Sequence, residues 1–176
     1  MMILVIGGSG SGKSSYAEEV VCSVSEEDMK KYYLATMQVF DEEGQKKIER
    51  HRKLRSGKGF LTIEQPRSIG RSLEKMDGGK KTVLLECISN LTANEMFAGE
   101  RPRLEMQVVE NVVSGLRKLK ENTTNLVVVS NNVFEDGIVY DQTTIDYIHA
   151  MGEINQRLAA MADRVVEVVT GIPVVI

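Results

Sequence analysis

A chain of 176 residues, 42% of them hydrophobic and 27% charged, has the composition of a globular protein and is long enough to bury a core within one domain. The formal net charge of −3 argues against a general electrostatic attraction to nucleic acid. No apolar run approaches the ~20 residues that a membrane span needs, and two cysteines are too few for a disulfide framework. We therefore expect one cytoplasmic domain over residues 1–176, without a nucleic-acid partner.

Short apolar runs alternate along the chain with longer segments that are compatible with helices. The runs are mostly β-branched or aliphatic, which is typical of strands buried between helix layers. The predicted strands are residues 3–6, 32–35, 82–85, 126–129 and 165–169, with a short C-terminal edge strand at 174–176. The predicted helices are residues 14–22, 42–54, 67–75, 103–120 and 144–162. This alternation predicts an α/β fold with a mainly parallel sheet flanked by helices.

A glycine-rich loop follows the first predicted strand and precedes the first predicted helix. It matches the P-loop pattern G-x-x-x-x-G-K-[ST] and consists of Gly7, Gly8, Ser9, Gly10, Ser11, Gly12, Lys13 and Ser14. Backbone N–H groups of such a loop surround a phosphate, and the helix that follows directs its positive end at the same group. In this motif the lysine contacts the β- and γ-phosphates and the hydroxyl ligates Mg²⁺. The sequence thus predicts a single-domain P-loop (RecA-like) fold, with Lys13 catalytic and Ser14 a metal ligand.

A P-loop also needs an acidic partner for Mg²⁺, usually at the end of another central strand. Glu86 directly follows the apolar run 82–85, so we predict that it is the second metal ligand. The alternative, a surface glutamate at a strand end, stays open.

The two histidines lie in different sequence contexts. His149 lies in the last predicted helix beside Ile148, and we interpret it as structural. His51 lies among the cations of the segment 47–55, which would surround a polyphosphate. Taken alone, that segment is more typical of a solvated basic helix face than of a catalytic site.

Several further segments carry a resemblance to a known family. They are Tyr33-Leu34-Ala35-Thr36, Arg50-His51-Arg52 with Arg55, Glu64, Leu84-Leu85-Glu86-Cys87-Ile88, Ile154-Asn155-Gln156-Arg157-Leu158-Ala159-Ala160 with Asp163, and Thr170-Gly171-Ile172-Pro173. With the P-loop, they make the chain resemble, from end to end, the bifunctional adenosylcobinamide kinase / adenosylcobinamide-phosphate guanylyltransferase family of cobalamin biosynthesis.

The resemblance implies two reactions. In the first, a nucleoside triphosphate, ATP or GTP, phosphorylates adenosylcobinamide. In the second, His51 attacks the α-phosphate of GTP, and the GMP then passes to the cobinamide phosphate; a neutral imidazole is a competent nucleophile for this near pH 7. The resemblance also implies Mg²⁺ as cofactor, a corrinoid as the small-molecule substrate and a homo-oligomer, with a trimer as the expected state. The further nucleotide-binding residues that it implies are Ala35, Thr36, Met37, Arg52, Lys53, Leu54, Arg55, Glu64 and Glu86.

Two other functions remain open from the residues alone. One is a monofunctional P-loop kinase for another small alcohol, in which His51 is a surface residue. The other is a RecA-like ATPase or nucleotide-dependent binding module that uses hydrolysis to drive a conformational change.

Overall fold

The computed structural model describes residues 1–38, 55–132 and 139–176. Within these residues, one sheet has the strand order β3-β2-β4-β5-β1-β6-β7. The strands are β1 Met2–Gly7, β2 Lys30–Ala35, β3 Phe60–Glu64, β4 Lys81–Glu86, β5 Asn125–Asn131, β6 Arg164–Val169 and β7 Ile172–Val175. β1 to β6 pair in parallel, and β7 pairs antiparallel with β6 at one edge. The predicted parallel sheet and its C-terminal edge strand are confirmed.

Helices cover both faces of this sheet. They are α1 Lys13–Val24, the 3₁₀ helix Ile69–Lys75, α2 Ile88–Met96, α3 Glu105–Asn122 and α4 Gln142–Met161. Side chains of α1 pack on one face, and those of α2, α3 and α4 pack on the other. Because both faces are buried, the central strands are apolar at nearly every position. No helix in the described ranges is both long and apolar enough to cross a bilayer.

The structure differs from the sequence prediction at three elements. β3 and α2 were not predicted, because β3 is an edge strand with an exposed Leu61 and α2 has only 9 residues. The helix predicted at 67–75 is a 3₁₀ helix that begins at Ile69, which suits a short connector between two longer elements. The helix predicted at 42–54 lies outside the described residues.

The carboxyl ends of the parallel strands meet at one edge of the sheet, where α/β proteins bind their ligands. β1 ends at Gly7, the first residue of the P-loop, and β4 ends at Glu86. The strand register places Ala35 of β2 between Glu86 and Glu64. Neighbouring strands are about 4.8 Å apart, so the Glu64 and Glu86 backbones lie about 10 Å apart. This edge brings together segments that are distant in sequence.

Candidate nucleotide and metal site

The P-loop turns sharply from β1 into α1. Gly10 and Gly12 have φ angles of 74° and 90°, a region that L residues with side chains rarely adopt. A Cβ at Gly12 would also lie 3.4 Å from Cα of Gly171, in the β6–β7 turn. The Gly171 N–H donates to the Ser11 carbonyl at 2.8 Å. The C-terminal Thr170-Gly171-Ile172-Pro173 segment therefore supports the loop from behind.

Lys13 is the first residue of α1, and its side chain is 8% exposed. Its Nζ donates to the Gly8 carbonyl at 2.9 Å, so the ammonium group folds back over the loop. Burial lowers the pKa of Lys13, while the neighbouring Cys87 and Glu86 act in the opposite direction. A buried cation is costly without an opposite charge. A phosphate in the loop would supply that charge.

The Glu86 carboxylate accepts hydrogen bonds on both of its oxygens. Ser14 Oγ donates to Oε1, and the Tyr33 hydroxyl donates to Oε2 at 3.0 Å. Burial, followed by the nearby Glu86 charge, raises the pKa of Tyr33 well above its ordinary value. The phenol therefore keeps its proton at neutral pH and stays a donor. The two residues predicted as metal ligands, Ser14 and Glu86, are in direct contact.

The donor set of Ser14 and Glu86 fits Mg²⁺. This ion prefers oxygen ligands and is usually held by one or two carboxylates together with water and substrate phosphates. In residues 1–38, 55–132 and 139–176, no cluster of three or more His, Cys, Asp or Glu side chains could hold a metal ion. A hydroxyl and a carboxylate next to a phosphate loop match a magnesium–nucleotide site rather than an all-protein metal cage.

Thr36, which the sequence predicts to lie near the nucleotide, is fully buried. Its Oγ1 lies 3.0 Å from the Glu86 carbonyl and 2.8 Å from the Cys87 carbonyl, and it accepts from the Cys87 N–H at 2.7 Å. The hydroxyl is thus already engaged with the end of β4, where it fixes the backbone of Glu86. Its neighbours Ala35 and Met37 are half-buried at the same edge.

Arg55 is the predicted nucleotide-site residue at which the described chain resumes. It is 7% exposed, and its Cζ lies 3.5 Å from the centre of the Tyr33 ring, in a cation–π contact. Its Nη1 atom is buried and has no hydrogen-bond partner within the part of the chain that the structure describes. Glu64 is exposed at the end of β3, two strands from Glu86. The other predicted residues, His51, Arg52, Lys53 and Leu54, lie outside the described residues.

The sequence reasoning assigned no role to the contacts that hold the end of β5. The buried Ser130 hydroxyl donates to Asn155 Oδ1 at 2.6 Å, and Asn155 Nδ2 donates to the Asn131 carbonyl at 3.2 Å. The next residue, Asn132, donates its N–H to the Gly7 carbonyl at 3.1 Å. Asn155, the centre of the Ile154–Leu158 motif, therefore links α4 to the start of the P-loop.

Tyr33 is a further site residue that the sequence reasoning missed, having used it only in the family resemblance. The signal available was its place in β2. Alternation along the strand puts Tyr33 and Ala35 on the α1 face, whereas Tyr32 and Leu34 face the larger core cluster. The neighbour that its hydroxyl meets could not be inferred without the strand order.

Comparison with known proteins gives the family. Residues 3–176 match the family model CobU, described as cobinamide kinase / cobinamide phosphate guanyltransferase. The bifunctional adenosylcobalamin biosynthesis protein CobU of Escherichia coli (strain K12) is 30% identical over 183 residues, which cover 99% of this chain and 98% of that protein. The protein of the same name from Salmonella typhimurium (strain LT2) is also 30% identical, with the same coverage.

Among solved structures, the ATPase domain of a helicase matches with a TM-score of 0.52 and 12% sequence identity. The match covers 94% of this chain and 68% of that one, and it supports the predicted P-loop, RecA-like fold. The family resemblance seen in the sequence is confirmed over nearly the whole chain. The chain is a transferase that belongs to the cobinamide kinase / cobinamide phosphate guanyltransferase family.

Proposed function

We propose that this enzyme phosphorylates adenosylcobinamide and then transfers GMP from GTP, through a covalent guanylyl-histidine at His51, to adenosylcobinamide phosphate. The product is adenosyl-GDP-cobinamide. The observation that carries the proposal is the contact of Ser14 with Glu86 beside the P-loop lysine, in a chain of this family. Residues 1–176 would act as one transferase domain.

In the kinase step, the P-loop and Lys13 bind the phosphates of ATP or GTP. The aminopropanol hydroxyl of the corrinoid attacks the γ-phosphorus, the bond to the β-phosphate oxygen breaks, and the nucleoside diphosphate leaves. Ser14 and Glu86 would hold Mg²⁺, which when bound neutralises charge on the phosphate oxygens. Lys13 stabilises the same charge from the loop side, in a site whose burial strengthens the interaction.

In the guanylyl step, an imidazole nitrogen of His51 attacks the α-phosphorus of GTP, and pyrophosphate leaves. A phosphate oxygen of the cobinamide phosphate then attacks the same phosphorus and restores the imidazole. His51 precedes Arg55 by four positions, and four residues span at most ~14 Å. Since Arg55 stacks on Tyr33, which contacts Glu86, the chain length keeps His51 within reach of the phosphate loop. This reach supports His51 as the carrier; Arg52, Lys53, Leu54 and Glu64 remain part of the proposed nucleotide site.

The test is covalent labelling with GTP that carries ³²P on the α-phosphate, followed by denaturing electrophoresis. The protein should become labelled, whereas γ-labelled GTP should leave no such mark. The adduct should be acid-labile and base-stable, because a P–N bond breaks once its nitrogen is protonated.

Two histidine variants complete this test. His51→Ala should abolish the label and leave the kinase step partly intact. His149→Ala is the matched control, since that histidine is exposed on α4, and it should label like the parent. Labelling that persists in His51→Ala would refute the assignment of the nucleophile. A parent that phosphorylates but never labels would instead be the monofunctional kinase.

We also infer that the enzyme is a homo-oligomer, a trimer by family resemblance, that works in the cytoplasm, where its nucleotide substrates are made. Exposed apolar side chains on and after β7 support self-association; they are Ile172, Val174, Val175 and Ile176. Sedimentation equilibrium at several protein concentrations tests the oligomeric state. A monomeric mass throughout would contradict it.

A further inference from the structure

The Tyr33 side chain touches two parts of the proposed site at once. Its hydroxyl donates to Glu86 Oε2 at 3.0 Å, opposite the oxygen that accepts from Ser14. Its ring face lies 3.5 Å below the Arg55 guanidinium. One buried residue thus contacts the proposed metal ligand through its tip and a buried cation through its ring.

The surroundings of Tyr33 leave its ring little freedom to move. The residue is 4% exposed, and it lies between Thr62 of β3 and Leu84 of β4 in the strand register. Phe60 meets the ring edge-to-face, with centroids 6.3 Å apart and an interplanar angle of 83°. A ring packed in this way holds its hydroxyl at a fixed position. The hydrogen bond to Glu86 therefore acts as a constraint on the carboxylate.

Arg55 depends on the same ring. A buried guanidinium is costly unless its charge is compensated, and the electron-rich face of Tyr33 compensates part of it. Among the described residues, the buried Nη1 atom finds no acceptor. An anionic group of the nucleotide would provide one, and the Tyr33 ring sets the plane from which Arg55 reaches it.

We propose that Tyr33 is a positioning residue that orients the Glu86 carboxylate for Mg²⁺ through its hydroxyl and holds Arg55 for the nucleotide through its ring. The inference rests on the proposed function, since it names how that site is held in shape. It assigns separate consequences to the hydroxyl and to the ring, so two substitutions at one position can separate them.

The experiment measures equilibrium binding of a non-hydrolysable GTP analogue by calorimetry over a range of Mg²⁺ concentrations, without corrinoid. In Tyr33→Phe, the ring and its contact with Arg55 remain, so the affinity without metal should match the parent. The Mg²⁺ concentration that gives half of the metal-dependent gain in affinity should rise by about tenfold, as is usual when a partner of a metal ligand is removed. In Tyr33→Leu, the affinity without metal should also fall, by roughly tenfold.

Tyr32 provides the matched control. This neighbouring tyrosine is 2% exposed, and its hydroxyl donates to Asp77 Oδ2 at 3.1 Å and accepts from the Asp77 N–H at 3.0 Å. Tyr32→Phe thus removes hydrogen bonds of a similarly buried hydroxyl on the opposite face of β2. It should lower the thermal unfolding midpoint at least as much as Tyr33→Phe and leave the Mg²⁺ dependence unchanged.

Two outcomes would overturn the role of Tyr33. One is a Tyr33→Phe protein with the Mg²⁺ dependence of the parent, and the other is an equal shift in Tyr32→Phe. The readout is binding, so it does not depend on whether His51 carries GMP. Failure of the labelling test and failure of this one are therefore distinguishable.

Discussion

Asn155→Ala should destabilise the protein strongly, although Asn155 lies outside the phosphate loop. Its amide oxygen accepts from the Ser130 hydroxyl, whose residue is fully buried, and its amide nitrogen donates to the Asn131 carbonyl. Alanine removes both partners. Water cannot easily replace the lost acceptor at a residue with no exposed surface.

The magnitude follows from these two hydrogen bonds. A buried hydroxyl left without its partner costs about 1–3 kcal/mol, and the lost bond to the Asn131 carbonyl adds about 1 kcal/mol. We expect the free energy of unfolding to fall by about 2–4 kcal/mol. For a domain of this size that lowers the thermal midpoint by roughly 5–15 °C. Ser130→Ala should cost about 1 kcal/mol, because Asn155 is half-buried and water can reach its oxygen.

The assay is denaturant unfolding of the parent, both single variants and the double variant. Once Asn155 is absent, removing the Ser130 hydroxyl removes the orphan group, so the double variant should be no less stable than Asn155→Ala. The coupling energy of the cycle should exceed about 1 kcal/mol. Additive single effects, or an Asn155→Ala protein within about 0.5 kcal/mol of the parent, would refute the reasoning.

Two further substitutions test the site and its pH dependence. Lys13→Met keeps the side-chain stem and should lower kinase turnover by about 10²–10³-fold, yet leave the thermal midpoint no lower, because burial disfavours the lysine charge; steady-state kinetics and thermal melts check this, and near-parent turnover would contradict it. Asp163→Asn should be less stable than the parent at neutral pH. The Met2 N–H donates to Asp163 Oδ2 at 2.5 Å and lowers the pKa of that carboxyl, so its stabilisation is present above ~pH 4 and lost as the pH falls through the lowered pKa. Thermal melts of both proteins from ~pH 7 to ~pH 2 should converge in acid, and a difference that stays constant would contradict the role of Asp163.

The sequence by itself determined the local elements of the site. The P-loop is contiguous, so its glycines, Lys13 and Ser14 are recognisable from spacing alone. The central strands are evident because burial on both faces makes them continuously apolar. Glu86 could be predicted for the same reason, as the acid that ends such a run. The end-to-end motifs determined the family.

The weaker elements could not be read from local pattern. In β3 only Ile63 is buried, so the segment lacks a continuous apolar run. The 3₁₀ helix approaches α3 closely at Gly70, where a Cβ would lie 3.4 Å from Cα of Gly115. That contact joins segments far apart in the chain, and neither glycine indicates its partner.

Only the tertiary structure decided how the site residues meet. Tyr33, Arg55 and Glu86 lie on separate segments, and their contacts arise because β2 lies beside β4 and the residues before β3 return across β2. Asn155 reaches the end of β5 because α4 packs across the sheet face opposite α1. The strand order follows from packing the whole chain, because many orders satisfy the same apolar pattern. Local spacing fixes which groups carry the chemistry, and tertiary packing fixes which buried partners orient them.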